Sequence, residues 1–132
     1  MPKKESITHP HEELIQGVYK QLKEVFEESK QAIYLYYDDT HKICNHKFAS
    51  LLGYTSPEEL LAVEKPFTEA FVEDESQEIL VSTYRNAMED KIASDIVVSW
   101  KKKTGGSVKT KVIMVPISHD GELLALHFIS KI

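Results

Sequence analysis

Three features of the 132-residue sequence predict an α+β domain: a five-stranded antiparallel sheet with short helices on one face and an amphipathic helix ahead of it. The hydrophobic period changes from helical to strand-like near Ala32. Two short capped helices follow in succession from Asn45. Three strand-like runs separated by glycine turns close the chain.

Taken in order, Met1 to Pro10 is polar and is expected to fray. From Glu12 to Ser29 the pattern is helical: Ile15, Val18, Leu22 and Val25 recur at spacings of three, four and three. Leu14 and Phe26 widen the stripe, and Gln16, Lys20, Lys23, Glu24 and Glu27 fall opposite. Such a stripe buries itself either on the domain's own sheet or in a short contact between two copies; it is shorter than the roughly three to four heptads of a coiled coil. Ile15, Val18, Leu22 and Val25 are the residues expected to carry the dimer contact. The expected division is 1–30 for tail and helix and 31–132 for the domain.

Ile33 to Tyr37 reads as a strand ending in the turn Asp38-Asp39-Thr40, and Lys42 to Cys44 as a very short second one. Asn45 then caps a short helix that Gly53 stops. Ser56 opens another, with Pro57 at its first position and Glu59 three residues on as in a capping box. Phe67 to Phe71 forms a small apolar turn or helix. A longer helix begins near Asp74, its acidic first turns (Asp74, Glu75, Glu78) matching the helix dipole and Ile79, Leu80, Tyr84, Ala87 and Met88 on its core side. Ile96 to Trp100, Val108 to Ile117 and Leu123 to Ile129 form a meander through Gly105-Gly106 and Asp120-Gly121. The last two strands are apolar at both parities, so both faces of the sheet are expected to be covered, one by the short helices and the other by the N-terminal helix or a partner subunit.

Asn45, Phe48, Ala49, Leu52, Gly53, Tyr54, Ser56, Glu58, Glu59 and Leu60, followed by Lys102-Lys103-Thr104-Gly105-Gly106-Ser107-Val108, Pro116-Ile117 and Asp120-Gly121-Glu122, make the chain from Gln31 to Ile132 resemble the PAS domain family. The short second strand departs from the usual family spacing, which places a longer strand before that asparagine. The resemblance implies a PAS-like fold and a sensory or regulatory role in signal transduction. It also implies a small apolar cavity between helices and sheet, lined here from Leu35, Phe48, Leu52, Phe71, Leu80, Tyr84, Val98, Trp100, Val112 and Met114. The alternative is that these side chains simply fill the core.

The resemblance also brings two cofactors to test. Family members that sense light through flavin carry a reactive cysteine after the short helices, whereas Cys44 precedes Asn45. Haem-binding members commonly take an axial histidine from the long helix, and no histidine lies between Asp74 and Lys91. Flavin and haem are therefore disfavoured, and an unknown small apolar or aromatic molecule is the ligand expected, if the core is not filled.

Composition narrows the partners. Sixteen basic against twenty-one acidic residues give a net charge of −5, which argues against a nucleic-acid or anionic-membrane surface. No apolar run approaches the ~20 residues of a membrane span, and no signal-peptide core is visible. One cysteine excludes an internal disulfide and fits a reducing compartment, so a cytoplasmic location is expected.

No catalytic motif is visible: there is no G-x-S-x-G, phosphate loop or H-E-x-x-H, and Glu58-Glu59 and Asp38-Asp39 fit a cap and a turn, so the chain is expected not to be an enzyme. His41, Cys44 and His46 are the sharpest metal candidate, but their spacing forms no paired-ligand motif, and turn histidines beside a buried thiol are the expected reading. His9 and His11 are expected to be solvated, His119 to lie in a turn and His127 to pack against a partner side chain on an apolar face. The chain ends at Ser130-Lys131-Ile132 with no effector segment in sight, so output is expected to pass to a separate effector protein, unless the sequence is part of a longer one. The rival reading is a protein-interaction module with a filled core and no ligand.

Overall fold

The computed structural model describes the backbone from residue 2 and side chains from residue 11, and the expected fraying of Met1 to Pro10 lies outside the described side chains. The elements are helix α1 (Pro2–Glu28), strands β1 (Ala32–Asp38) and β2 (His41–Cys44), helices α2 (His46–Leu51), α3 (Pro57–Leu61), α4 (Phe67–Phe71) and α5 (Asp74–Asp90), and strands β3 (Ser94–Lys101), β4 (Ser107–His119) and β5 (Glu122–Lys131). The strands form one antiparallel sheet in the order β2-β1-β5-β4-β3. The last strand therefore lies in the middle, paired on one side with the first.

Asn45 holds that centre to the helices. Its Oδ1 accepts from Phe48 N–H at 3.0 Å, capping α2, and also from Ile33 N–H at 3.0 Å. Its Nδ2 donates to the Gln31 carbonyl at 2.9 Å, so one buried amide joins the end of β2, the start of β1 and α2. Ser56 Oγ accepts from Glu59 N–H at 3.1 Å, whereas the Glu59 carboxylate reaches one residue further back than a standard capping box, to the Thr55 amide at 2.7 Å.

The sheet separates two cores. On one face Phe48, Leu52, Leu60, Phe67, Phe71, Leu80, Val98, Trp100, Val112 and Met114 pack between helices α2–α5 and the strands. On the other, Leu14, Ile15, Val18 and Phe26 of α1 bury Ile33, Leu35, Leu124 and Leu126. The amphipathic stripe thus takes its own sheet as partner. Ile15 and Val18 are buried and Leu22 packs beside them, which corrects their expected place in a seam between two copies, because their apolar surface is already spent within the chain. Val25 alone of the four stays exposed, at 46%.

Two further expectations need correction. The cover by α1 spans β2, β1, β5 and the Ile117–His119 end of β4 but not β3 or the middle of β4, where Val97 and Ile113 remain 47% and 42% exposed. On α5, Ile79 faces solvent; the buried line is Ser76, Leu80, Thr83 and Ala87, the i, i+4, i+7, i+11 positions of a single helical stripe.

Among the described residues no helix is long and apolar enough to cross a membrane.

Candidate functional site

Alternation along β1 decides what the helical face contains. Side chains two apart share a face, so Ile33, Leu35 and Tyr37 point to α1, while Ala32, Tyr34 and Tyr36 point to the helices. The expected cavity residue Leu35 is therefore on the opposite face, packed under α1, and its position in the cavity is taken by its neighbours.

A cavity of about 260 Å³ lies where β1, β5, α4 and α5 meet, lined by Tyr34, Tyr36, Phe67, Leu80, Val81, Tyr84 and His127 together with Asp39 and Thr68. Of the residues expected to line a cavity, Leu80 and Tyr84 do so. Phe48, Leu52, Phe71, Val98, Trp100, Val112 and Met114 fill the same core beside it without lining it. Trp100 also needs no ligand for its polar tip, because its indole N–H donates to Thr110 Oγ1 at 2.8 Å and that hydroxyl donates to the Val98 carbonyl at 3.0 Å.

Tyr34 is the hub between that packed core and the cavity. Its ring lies 4.9 Å from Phe48, 5.0 Å from Phe67 and 5.9 Å from Trp100, centroid to centroid, and stacks on His127 at 3.8 Å with 11° between planes. Tyr34 and His127 are directly opposed on β1 and β5, so sheet register alone brings the rings together. The expected packing of His127 on an apolar face holds, and its neighbour is this tyrosine.

The polar atoms of this pair are open. His127 Nδ1 faces the Ala125 carbonyl at 3.1 Å and so carries the hydrogen, which leaves Nε2 as an acceptor. Burial pushes the His127 pKa down to about 3, outweighing hydrogen bonding to the Ala125 and Tyr34 backbone, and the ring is neutral at pH 7. Burial also raises the Tyr34 pKa well above its ordinary value, keeping the phenol protonated. Among the described residues neither Nε2 of His127 nor the Tyr34 hydroxyl has a hydrogen-bond partner, yet no fully enclosed side-chain nitrogen or oxygen lacks one. Both side chains line the cavity.

The mouth is built from the β1–β2 turn. Asp39 Oδ1 accepts from the Tyr36 hydroxyl at 2.8 Å and from Phe67 N–H at 3.2 Å, capping α4, whose own N-cap residue Pro66 offers no side-chain acceptor. The Tyr84 hydroxyl donates to the Tyr37 carbonyl at 3.3 Å. Tyr34, Tyr36, Phe67 and His127 were legible only as strand or turn residues. The available signal was the alternation that puts two tyrosines on one face of β1.

Cys44 is buried in the helical core, does not line the cavity, and has its pKa pushed up to about 12 by burial, so it stays a thiol. His46 is exposed on α2, and it is not among the residues that group with His41. His41 groups instead with His11 and Asp38, which corrects the expectation of a solvated His11; His9 lies outside the described side chains.

No family model and no curated protein matches the sequence. Solved structures do resemble it. The PAS domain of an HTR-like protein from Haloarcula marismortui is similar over 94% of this chain and 99% of its own, with 17% identity and a TM-score of 0.62. The PAS domain of a protein from Colwellia psychrerythraea covers 87% of this chain and 97% of its own, at 22% identity and a TM-score of 0.67. A Rhodobacter sphaeroides LOV protein covers 89% of this chain and 68% of its own, at 17% identity and a TM-score of 0.67. At these identities the likeness is one of fold. Element order, sheet topology and these neighbours agree: the chain has a PAS-like fold.

Proposed function

We propose that this domain is a non-enzymatic sensory module in signal transduction whose cavity takes a compact, flat, largely apolar molecule bearing a hydrogen-bond donor. The carrying observation is the stacked pair Tyr34 and His127, buried in an apolar cavity with a phenol hydroxyl and an imidazole acceptor unpartnered. Both side chains line the cavity, so a donor on the ligand would replace water at the His127 acceptor. At about 260 Å³ the cavity is smaller than the roughly 300–1,000 Å³ of pockets for drug-sized ligands, which supports a small aromatic metabolite over flavin or haem. The position of Cys44 supports the same choice.

A ligand acts as a signal only when it binds one arrangement of the protein better than another. Asp39 and Tyr84, which tie the cavity mouth to β1 and the β1–β2 turn, are the groups whose arrangement a ligand would bias. Output passes to a separate effector protein. We assign partner contact to the uncovered β3–β4 strip bearing Val97 and Ile113, since the α1 stripe is spent inside the chain.

The test uses untagged protein: native mass spectrometry for a retained small molecule, then thermal denaturation with phenol and with indole. Retained mass, or a raised melting temperature that Tyr34→Phe and His127→Leu diminish, supports the reading. No retained mass and no shift with either compound favours the filled-core interaction module.

A further inference from the structure

On the far side of the same hairpin, α1 and the β1–β2 turn bring together side chains that are distant in sequence. One donor atom from each of His11, Asp38 and His41 lies within 4.8 Å of the other two. Asp38 Oδ1 meets His41 Nδ1 at 2.8 Å, which turns His41 Nε2 outward, and Glu12 Oε1 is 4.0 Å from that nitrogen. The His11 and His41 rings meet edge to face at 5.5 Å. Two imidazoles and a carboxylate converge here from three elements, α1, β1 and β2.

We propose that His11, Asp38 and His41 bind a divalent transition-metal ion of the zinc type, with water completing the shell, and that the ion fastens α1 to the hairpin. Imidazole with carboxylate suits zinc better than calcium or magnesium, which prefer all-oxygen shells. Tetrahedral donors at about 2.0–2.1 Å from zinc stand about 3.3 Å apart, so the present spacing closes by about 1.5 Å at most, within the reach of partly exposed side chains. Lys42 is the competing cation: it donates to the Asp39 carbonyl beside the cluster, and Asp38 acts on its charge. The site is independent of the cavity.

The test is a zinc titration of the untagged, chelator-stripped 132-residue chain, read by calorimetry and melting temperature, with His11→Ala, His41→Gln and, as control, His46→Ala. The expected result is one zinc per chain and a raised melting temperature, with affinity falling at least about tenfold in His11→Ala and His41→Gln but not in His46→Ala. Melting of the stripped variants without metal reports whether they fold. Absence of saturable binding overturns the proposal, as does binding that survives His11→Ala. Stabilisation that comes only from lowering the pH, with none from zinc, also overturns it, since a protonated His41 between Asp38 and Glu12 would then be the whole contact.

Discussion

The two faces of the sheet are sealed by different means. Beneath α1 every buried member of the cluster is apolar, from Leu14 and Ile15 to Leu124 and Leu126. Beneath helices α2–α5 the buried set includes Asn45, Ser76, Thr83, Thr110 and His127 with an aromatic group around Tyr34. An apolar face is satisfied by shape alone, whereas a face with buried polar groups must place a partner at each one. Thr110 finds its partners in Trp100 and Val98, and Asn45 finds its own in the backbone. For the Tyr34 hydroxyl and His127 Nε2 no such partner is seen among the described residues, and the proposed ligand site lies on this face.

The sharpest break in the comparison is a substitution that damages one face and spares the other. Leu35→Ala, at a fully buried position under α1, is expected to cost about 2–5 kcal/mol in urea denaturation. It should leave any ligand response intact, because the side chain is across the sheet from the cavity. Loss of that response in a still-folded variant would show the faces to be coupled.

On the helical face, volume is not the controlling quantity. Thr110→Val keeps the shape and strands the Trp100 indole N–H and the Val98 carbonyl, so a loss of about 1–3 kcal/mol is expected. A neutral result would mean that water or a shifted Trp100 replaces the hydroxyl. The comparable β-branched swap Ile33→Val beneath α1 should cost about 0.5–1.5 kcal/mol, through lost methylene alone.

The smallest effect near neutrality belongs to His127. Its pKa of about 3 in the fold is below the ordinary 6.5, so on acidification the unfolded chain takes up a proton that the folded chain refuses. The stability is fully present above about pH 6.5 and is lost progressively as the pH falls towards 3, by about 1 kcal/mol over the first pH unit. Urea denaturation of the parent and His127→Leu across that window checks it. Equal pH slopes would show that His127 becomes protonated within the fold.

Local chemistry made much of the architecture legible. Asn45 and Ser56 cap helices because their side-chain oxygens reach amides two or three residues on, and Gly53 and Gly121 hold φ values of +88° and +82° that other residues seldom adopt. Hydrophobic period separated α1 from β1, and the glycine turns set the meander. Face selection was not local. β1 is apolar or aromatic at both parities from Ile33 to Tyr37, so no binary pattern said whether Leu35 or Tyr34 met the helices.

The sequence by itself determined which segments are helix and strand and where they stop, because caps, turns and periodicity act within a few residues. Tertiary structure alone decided that α1 spends its stripe on its own sheet, that Tyr34 opposes His127, and that His11 meets Asp38 and His41. Those outcomes rest on register and packing between segments up to about a hundred residues apart in the chain, where burial is non-directional and the contact made depends on what the rest of the fold leaves uncovered.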